Sequence, residues 1–298
     1  MRDLITGANG LLGQKLISLL STESEVELHA TGRGPCRIPE GNYTYHRVDL
    51  TEEGALYGLF EQERPDAIIH GAAMTNVDAC EENPDECQLQ NVTVVESLIR
   101  ACENHDTFMT LVSTDFIFDG NDGPYSEDDT PNPLSEYGRS KLDAEEALQK
   151  SNLNWAIART ILVYGVTSDE RSNIVLWIKK SLEDKKPLQL ITDQWRMPTL
   201  AEDLAMGCWL MTKQQAKGVF NISGKDLLNP YEIALKTAEV FGLDASLITP
   251  TDGSKFTQPA KRPPKTGFIL DKSRETLGYE PSSFEEGLEI LKEQLAKQ

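Results

Sequence analysis

The chain has 298 residues, and 29 Lys+Arg against 48 Asp+Glu give a formal net charge of −19 at pH 7. Hydrophobic content of 39% with 26% charged residues excludes a fibre or a disordered chain, and the sign of the charge argues against general affinity for nucleic acid or an anionic membrane, which are bound through positive surface. The length fits one large α/β unit or two smaller ones, at about 100–200 residues per domain.

Short apolar runs alternate with amphipathic stretches. Leu4-Ile5 predicts a strand, residues 11–20 a helix, Val26 to Thr31 a second strand, and the neighbourhood of Val48 a short third one. A helix over 52–62, a strand over 67–70, a helix over 84–104, a strand from Phe108 to Ser113, a helix over 134–150 and a strand from Trp155 to Ile161 follow. This alternation predicts an α/β fold, a Rossmann-type doubly wound parallel sheet with right-handed crossovers. Beyond Gly165 the pattern loosens: a helix over 172–183, a strand over 188–190, a helix over 200–213, a strand over 218–222, a helix over 230–241, a Pro- and Lys-rich loop over 251–266 and a helix from about 283. We expect 1–165 to form a dinucleotide-binding domain and 166–298 a smaller, mainly substrate-binding α/β part, some of whose elements rejoin the first sheet.

No run approaches the roughly 20 apolar residues of a membrane span. The first strand begins almost at Met1, which leaves no room for a signal peptide. Cys36, Cys80, Cys87, Cys102 and Cys208 are odd in number and lack CxxC spacing, so free thiols in a cytoplasmic protein are expected. No Cys/His set has finger-like spacing, and no metal is expected. Trp177 and Trp209 read as packing residues, and Asn91 as a glycosylation sequon without meaning in a chain that is not secreted.

The first strand runs into Thr6-Gly7-Ala8-Asn9-Gly10-Leu11-Leu12-Gly13. Gly7 suits a tight turn, Gly10 lets backbone approach a pyrophosphate, and Gly13 lets the helix pack closely on the strand. The helix N-terminus then offers free N–H groups to phosphate. The spacing is GxxGxxG, and a purely structural turn remains open. A carboxylate ending the second strand would bind an NAD ribose. This chain has Thr31-Gly32-Arg33 there, which favours the 2′-phosphate of NADPH, with NADH still open.

Tyr137 and Lys141 are four apart and share a helical face. A phenol near pKa 10 is a poor acid–base group at pH 7 unless a neighbouring ammonium lowers it, which Lys141 is placed to do. Thr114 ends the strand before them, at the sheet edge where α/β active sites lie, and its hydroxyl could polarise a carbonyl.

Together these motifs resemble the extended short-chain dehydrogenase/reductase family: TGANGLLG at 6–13, DAIIHGAA at 66–73, STDFIFDG at 113–120, PLSEYGRSKLDAEEAL at 133–148 and ARTILVYG at 158–165. Within it, MTNVDACEENP at 74–84, DGPYSEDDTPNPLSEYG at 122–138, TDQWRMPT at 192–199 and KRPPKTGFILDKSRETLGY at 261–279 look most like the dTDP-4-dehydrorhamnose reductases. The resemblance implies that Tyr137 protonates a developing alkoxide, Lys141 tunes it and Thr114 holds the carbonyl oxygen. It implies that Gly10, Leu11 and Leu12 contact the pyrophosphate and Asp49 and Leu50 the adenine. Asn9 and Ala72 join the cofactor site, with Ala73, Met74 and Thr75 along the path to the nicotinamide. Val77, Asp115 and Phe116 belong to the sugar pocket. The branch's dehydratases carry Asp-Glu after the threonine, and Asp115-Phe116 here favours plain ketone reduction of a nucleotide sugar. Two departures, Leu162 for Trp and Phe116 for Tyr, put rhamnose itself in question. The resemblance suggests a homodimer through the flanking helices.

Two rivals stay open: a non-catalytic NADP-binding subunit, since the methionine adenosyltransferase beta subunit resembles the same branch, and a nucleotide-sugar epimerase. The charge pattern adds one expectation. Lys255, Lys261, Arg262 and Lys265 fall in a stretch without acids, and Arg196 lies in another substrate-like segment. With Arg33 they are expected to make a positive cleft for the diphosphate inside an acidic shell.

Overall fold

The computed structural model describes residues 1–168, 172–255 and 258–297, with the side chain of Lys255 outside the described part. The strands are β1 (Arg2–Thr6), β2 (Glu27–Gly32), β3 (Thr44–Arg47), β4 (Ala67–His70), β5 (Phe108–Thr114), β6 (Trp155–Thr160), β7 (Val163–Tyr164), β8 (Leu188–Ile191), β9 (Thr199–Leu200), β10 (Gly218–Asn221) and β11 (Ile248–Thr251). The helices are α1 (Leu11–Leu20), α2 (Glu53–Glu63), α3 (Val77–Glu82), α4 (Pro84–Gln88), α5 (Val94–His105), α6 (Glu136–Gln149), α7 (Ile174–Glu183), α8 (Ala201–Gln214), α9 (Pro230–Phe241), α10 (Asp271–Leu277) and α11 (Phe284–Leu295).

Seven strands form one sheet in the order β10-β6-β5-β4-β1-β2-β3, every neighbouring pair parallel. Adjacent residues of these strands serve opposite faces. Leu4 and Ile68 enter the core under α2, α5 and α6, while Ile5 and Ile69 enter the core shared with α1 and α8. A strand buried on both faces must be a continuous apolar run, which is why these segments show no alternation in sequence. The chain builds outward from β1 to β3 and then restarts at β4 on the other side. That reversal opens a crevice at the carboxyl ends of β1 and β4, where ligands of such sheets bind.

The elements after Gly165 divide. Helix α8 lies along α1, and β10 closes the edge of the main sheet beside β6. The parallel pair β8–β11 packs with α7, α9 and α11 around a separate core that includes Ile178, Leu190, Ile233 and Leu288. Among the described residues no helix is long and apolar enough to cross a membrane.

Several expectations need correction. The stretch 84–104 is not one regular helix: Pro84 starts α4, a π-helical turn spans Leu89–Thr93, and α5 follows. Helices α3 and α10 fall in segments read as loop or left unassigned. Trp209 packs in the core as expected, but Trp177 is 45% exposed, because α7 turns that side of its helix to solvent. Phe256 and Thr257 of the 251–266 loop lie outside the described residues.

Candidate active site

The β1–α1 turn is shaped by close backbone approach. Gly7 has φ +71°, and a Cβ there would lie 2.9 Å from the Ala72 nitrogen, in the loop after β4. A Cβ on Gly13 would lie 2.3 Å from the Gly7 carbonyl oxygen, so α1 can sit this close to β1 only without a side chain there. Gly10 caps α1 with no side-chain hydrogen bond, and no acidic residue occupies the first turn. The helix therefore presents N–H groups and its positive dipole end to the cleft without a built-in anion.

One cleft of about 990 Å³ opens above this turn. It is lined by Gly7, Asn9, Gly10, Leu11, Leu12, Gly13, Arg33, Asp49, Leu50, Ala72, Ala73 and Thr75 on one side. Val77, Thr114, Asp115, Phe116, Tyr137, Lys141, Arg196 and Arg262 complete it. Of the cofactor-site residues expected there, Met74 does not line it. Its side chain packs with Cys80, Cys87 and Tyr137 behind the wall, because Asn91 clamps its backbone: Met74 N donates to Asn91 Oδ1 at 2.8 Å, and Asn91 Nδ2 donates to Met74 O at 3.1 Å. Thr31 and Thr160 also border the cleft, and their buried Oγ1 atoms have no hydrogen-bond partner among the described residues. Arg33 is joined at the end of β2 by Arg37, whose backbone N–H is held by Asn9 Oδ1 at 2.9 Å.

Helix α6 delivers the reactive pair. Ser135 caps it by accepting from Gly138 N. A Cβ on Gly138 would lie 2.2 Å from the Phe116 carbonyl oxygen, so the helix touches the turn Asp115–Ile117 that follows β5. Tyr137 is thereby set edge-on to Phe116, with ring centroids 5.8 Å apart, on the side of the Thr114 side chain. Lys141 is buried and donates from Nζ to the Val112 carbonyl at 2.8 Å. Burial pulls its ammonium down to about 8, against the opposing pull of Glu145. Burial also pushes the Tyr137 phenol upward, with the hydrogen bond to Thr114 working the other way. Burial thus acts on the phenol in the direction opposite to the lowering expected from Lys141.

Asp115 lies under this pair. Its carboxyl is raised by burial, and it meets Thr266 Oγ1, Thr114 Oγ1 at 3.2 Å and Arg196 Nε at 3.7 Å. Arg196 also donates to the carbonyls of Trp195 and Pro263, each at 2.7 Å, and lies over the Phe116 ring. Arg262 forms a two-pronged pair with Asp78, at 3.0 and 2.7 Å. The expected cluster of uncompensated cations is therefore not what forms. Each buried or half-buried guanidinium arrives with a carboxylate, as removal from water requires. Lys261 and Lys265 do not line the cleft, and the Lys255 side chain lies outside the described residues.

Sequence reasoning missed the residues that position this set. Glu145 is fully buried and paired with Arg159, whose Nη2 lies 2.8 Å from Glu145 Oε2, and Ser113 Oγ donates to the same carboxylate. Asn91 Nδ2 reaches Ser140 Oγ on α6 at 3.0 Å from within the π-turn, a local geometry frequent at functional sites. An arginine inside the apolar run Trp155 to Ile161 was the available signal for the Glu145–Arg159 pair. For Asn91 no local signal existed.

A family model described as the RmlD substrate binding domain matches residues 1–296. The probable low-salt glycan biosynthesis reductase Agl14 of Haloferax volcanii is 31% identical over 98% of this chain and 97% of its own. Methionine adenosyltransferase 2 subunit beta of Bos taurus is 32% identical over 93% of this chain and 82% of its own. The crystal structure of dTDP-4-dehydrorhamnose reductase from Bacillus anthracis, in complex with NADP, matches with TM-score 0.86 at 25% identity, over 98% of this chain and 99% of that one. The chain thus belongs to the RmlD substrate binding domain family, within the extended short-chain dehydrogenase/reductase class of folds.

Proposed function

We propose that this protein is a cytoplasmic NADPH-dependent reductase of the 4-keto group of a nucleotide-activated deoxysugar, of the dTDP-4-dehydrorhamnose reductase kind that serves dTDP-L-rhamnose formation. One observation carries the reading: Thr114, Tyr137 and Lys141 face the same cleft as the uncapped glycine turn. The cradle fits a dinucleotide. It has the bare helix end for a diphosphate, Asp49 and Leu50 for a base, and Arg33 at the end of β2 for a phosphorylated ribose. A nicotinamide nucleotide bound there supplies hydride. The protein's own part is to bind, orient and move one proton. Thr114 and the Tyr137 hydroxyl hold the carbonyl oxygen, and Tyr137, neutral as buried, gives that oxygen its proton. Lys141 holds the positive charge beneath as phenolate develops. Asp115, fixed by Arg196 and Thr266, and Val77 and Phe116 face the sugar. Residues 1–165, completed by α8 and β10, form the cofactor-binding part.

The second reading is a non-catalytic regulatory subunit, favoured by the similarity to methionine adenosyltransferase 2 subunit beta. Oxidation of NADPH with a panel of nucleotide 4-keto sugars separates the two. Reduction of at least one is expected, and Tyr137→Phe should cut turnover by about 100-fold or more while leaving NADPH affinity within about twofold. Near-normal turnover in that variant removes the assignment.

The lowered Lys141 sets a pH limb. The ammonium is present below about pH 8 and lost above it, so kcat/KM for NADPH should fall as pH rises through about 8. A limb that begins only near pH 10 contradicts the role. For cofactor choice, Arg33→Ala should raise the NADPH KM by roughly 10- to 100-fold, the scale of one or two charged hydrogen bonds, and leave the NADH KM nearly unchanged. Equal effects on both would refute a 2′-phosphate contact.

A further inference from the structure

A second group of convergent side chains lies away from the cleft. His29 of β2, His46 of β3 and Glu63 at the end of α2 bring three donor atoms together. His29 Nδ1 lies 3.0 Å from His46 Nε2 and 3.2 Å from Glu63 Oε2, and His46 Nε2 lies 3.8 Å from Glu63 Oε1. None of the three lines the cleft. A tetrahedral ion held at about 2.0–2.1 Å sets its donors roughly 3.3 Å apart, so these separations bracket that geometry.

The surroundings fit the same reading. His29 Nε2 lies 3.4 Å from Glu27 Oε1. With the ring proton on that nitrogen, His29 Nδ1 turns a lone pair toward His46 and Glu63. This is the carboxylate–histidine arrangement that orients metal-bound imidazoles. Without a cation, one Nδ1 atom must face both an imidazole nitrogen and a carboxylate oxygen at hydrogen-bond distance. With the His29 proton on Nε2, a hydrogen bond from His46 Nε2–H accounts for the ring contact and leaves the Nδ1 lone pair facing the Glu63 carboxylate. Glu27 and Glu63 are themselves steadied by Arg2, which donates to Glu27 Oε2 at 3.1 Å and to the Glu63 carbonyl at 2.7 Å. The His46 and Glu63 side chains each keep 13% exposure, which leaves a way in from solvent and a fourth position for water.

We propose that His29, His46 and Glu63 bind one divalent transition-metal ion, with Zn2+ as the best match, and so fasten edge strand β3 to β2 and α2. Two imidazole nitrogens beside one carboxylate favour zinc and its neighbours over Mg2+ or Ca2+, which take oxygen ligands. The sequence did not suggest this set because its members sit on three elements brought together by the sheet, with no local spacing to read.

The test uses full-length protein stripped with a chelator, in a Cys36→Ser background that removes the one exposed thiol. Titration with Zn2+ alone should give one saturable site per chain, and a 100-fold excess over Kd should raise Tm by several degrees. Co2+ should give the visible bands of a four-coordinate site. His46→Asn should weaken Zn2+ binding by 100-fold or more. Glu27→Gln touches no ligand atom directly and should weaken it by about 10- to 100-fold, so it carries the test if His46→Asn does not fold. No saturable site, or an affinity that these substitutions leave unchanged, overturns the proposal.

Discussion

The site depends on how closely α6 can lie against the end of β5. Gly138 permits that approach, because any side chain there would meet the Phe116 carbonyl. The contact is then locked from several directions. Glu145 pairs with Arg159 of β6 and accepts from Ser113 of β5, Lys141 donates to the Val112 carbonyl, and Ser140 receives Asn91. Breaking a buried pair such as Glu145–Arg159 by removing one partner costs about 3–5 kcal/mol. These contacts fix Tyr137 relative to Thr114, and so decide where, in the proposed function, a carbonyl oxygen is held. The clamp on Met74 extends the same arrangement to the loop after β4, which forms the cleft wall beside the glycine turn.

Electrostatics follow from that burial. A phenol and an ammonium placed in the same dry layer both move toward their neutral forms. For carbonyl reduction this is useful: the phenol must hold its proton until the oxygen becomes basic, and Lys141 near 8 is still mostly charged at pH 7. The overall charge of −19 does not oppose anionic ligands at this depth, because surface charges are screened beyond about 8–10 Å. Local groups decide, and here they are not a bare cluster of cations. Arg196 and Arg262 are paired with Asp115 and Asp78, which leaves oriented polar groups at little net charge. The bare end of α1 and Arg33 add positive character at the cofactor side of the cleft.

Much of this was legible in the sequence, for identifiable reasons. The parallel sheet followed from apolar runs such as Leu4-Ile5 and Ile68-Ile69, whose adjacent residues serve two cores. The glycine turn and the Tyr137–Lys141 pair were legible because each is local: a turn, or two positions one helical turn apart. Contacts between distant elements were not. Asn91 read as a meaningless sequon, yet it joins the Met74 loop to α6, and nothing within the stretch 84–104 announced a π-turn. Arg262 looked like a free cation because Asp78 is far from it in sequence. The lysine was expected to dominate Tyr137, but the depth of burial, which decides the sign, is a property of the packed structure.

In the proposed function a nicotinamide nucleotide and a nucleotide sugar meet at Tyr137. A crystal structure with NADPH and dTDP-rhamnose bound tests it most directly. The diphosphate of the cofactor should lie on the amino end of α1, and the sugar 4-oxygen within hydrogen-bond distance of the hydroxyls of Tyr137 and Thr114. A sugar bound elsewhere, or a cleft that takes the cofactor and leaves Tyr137 out of reach of any sugar oxygen, would contradict it.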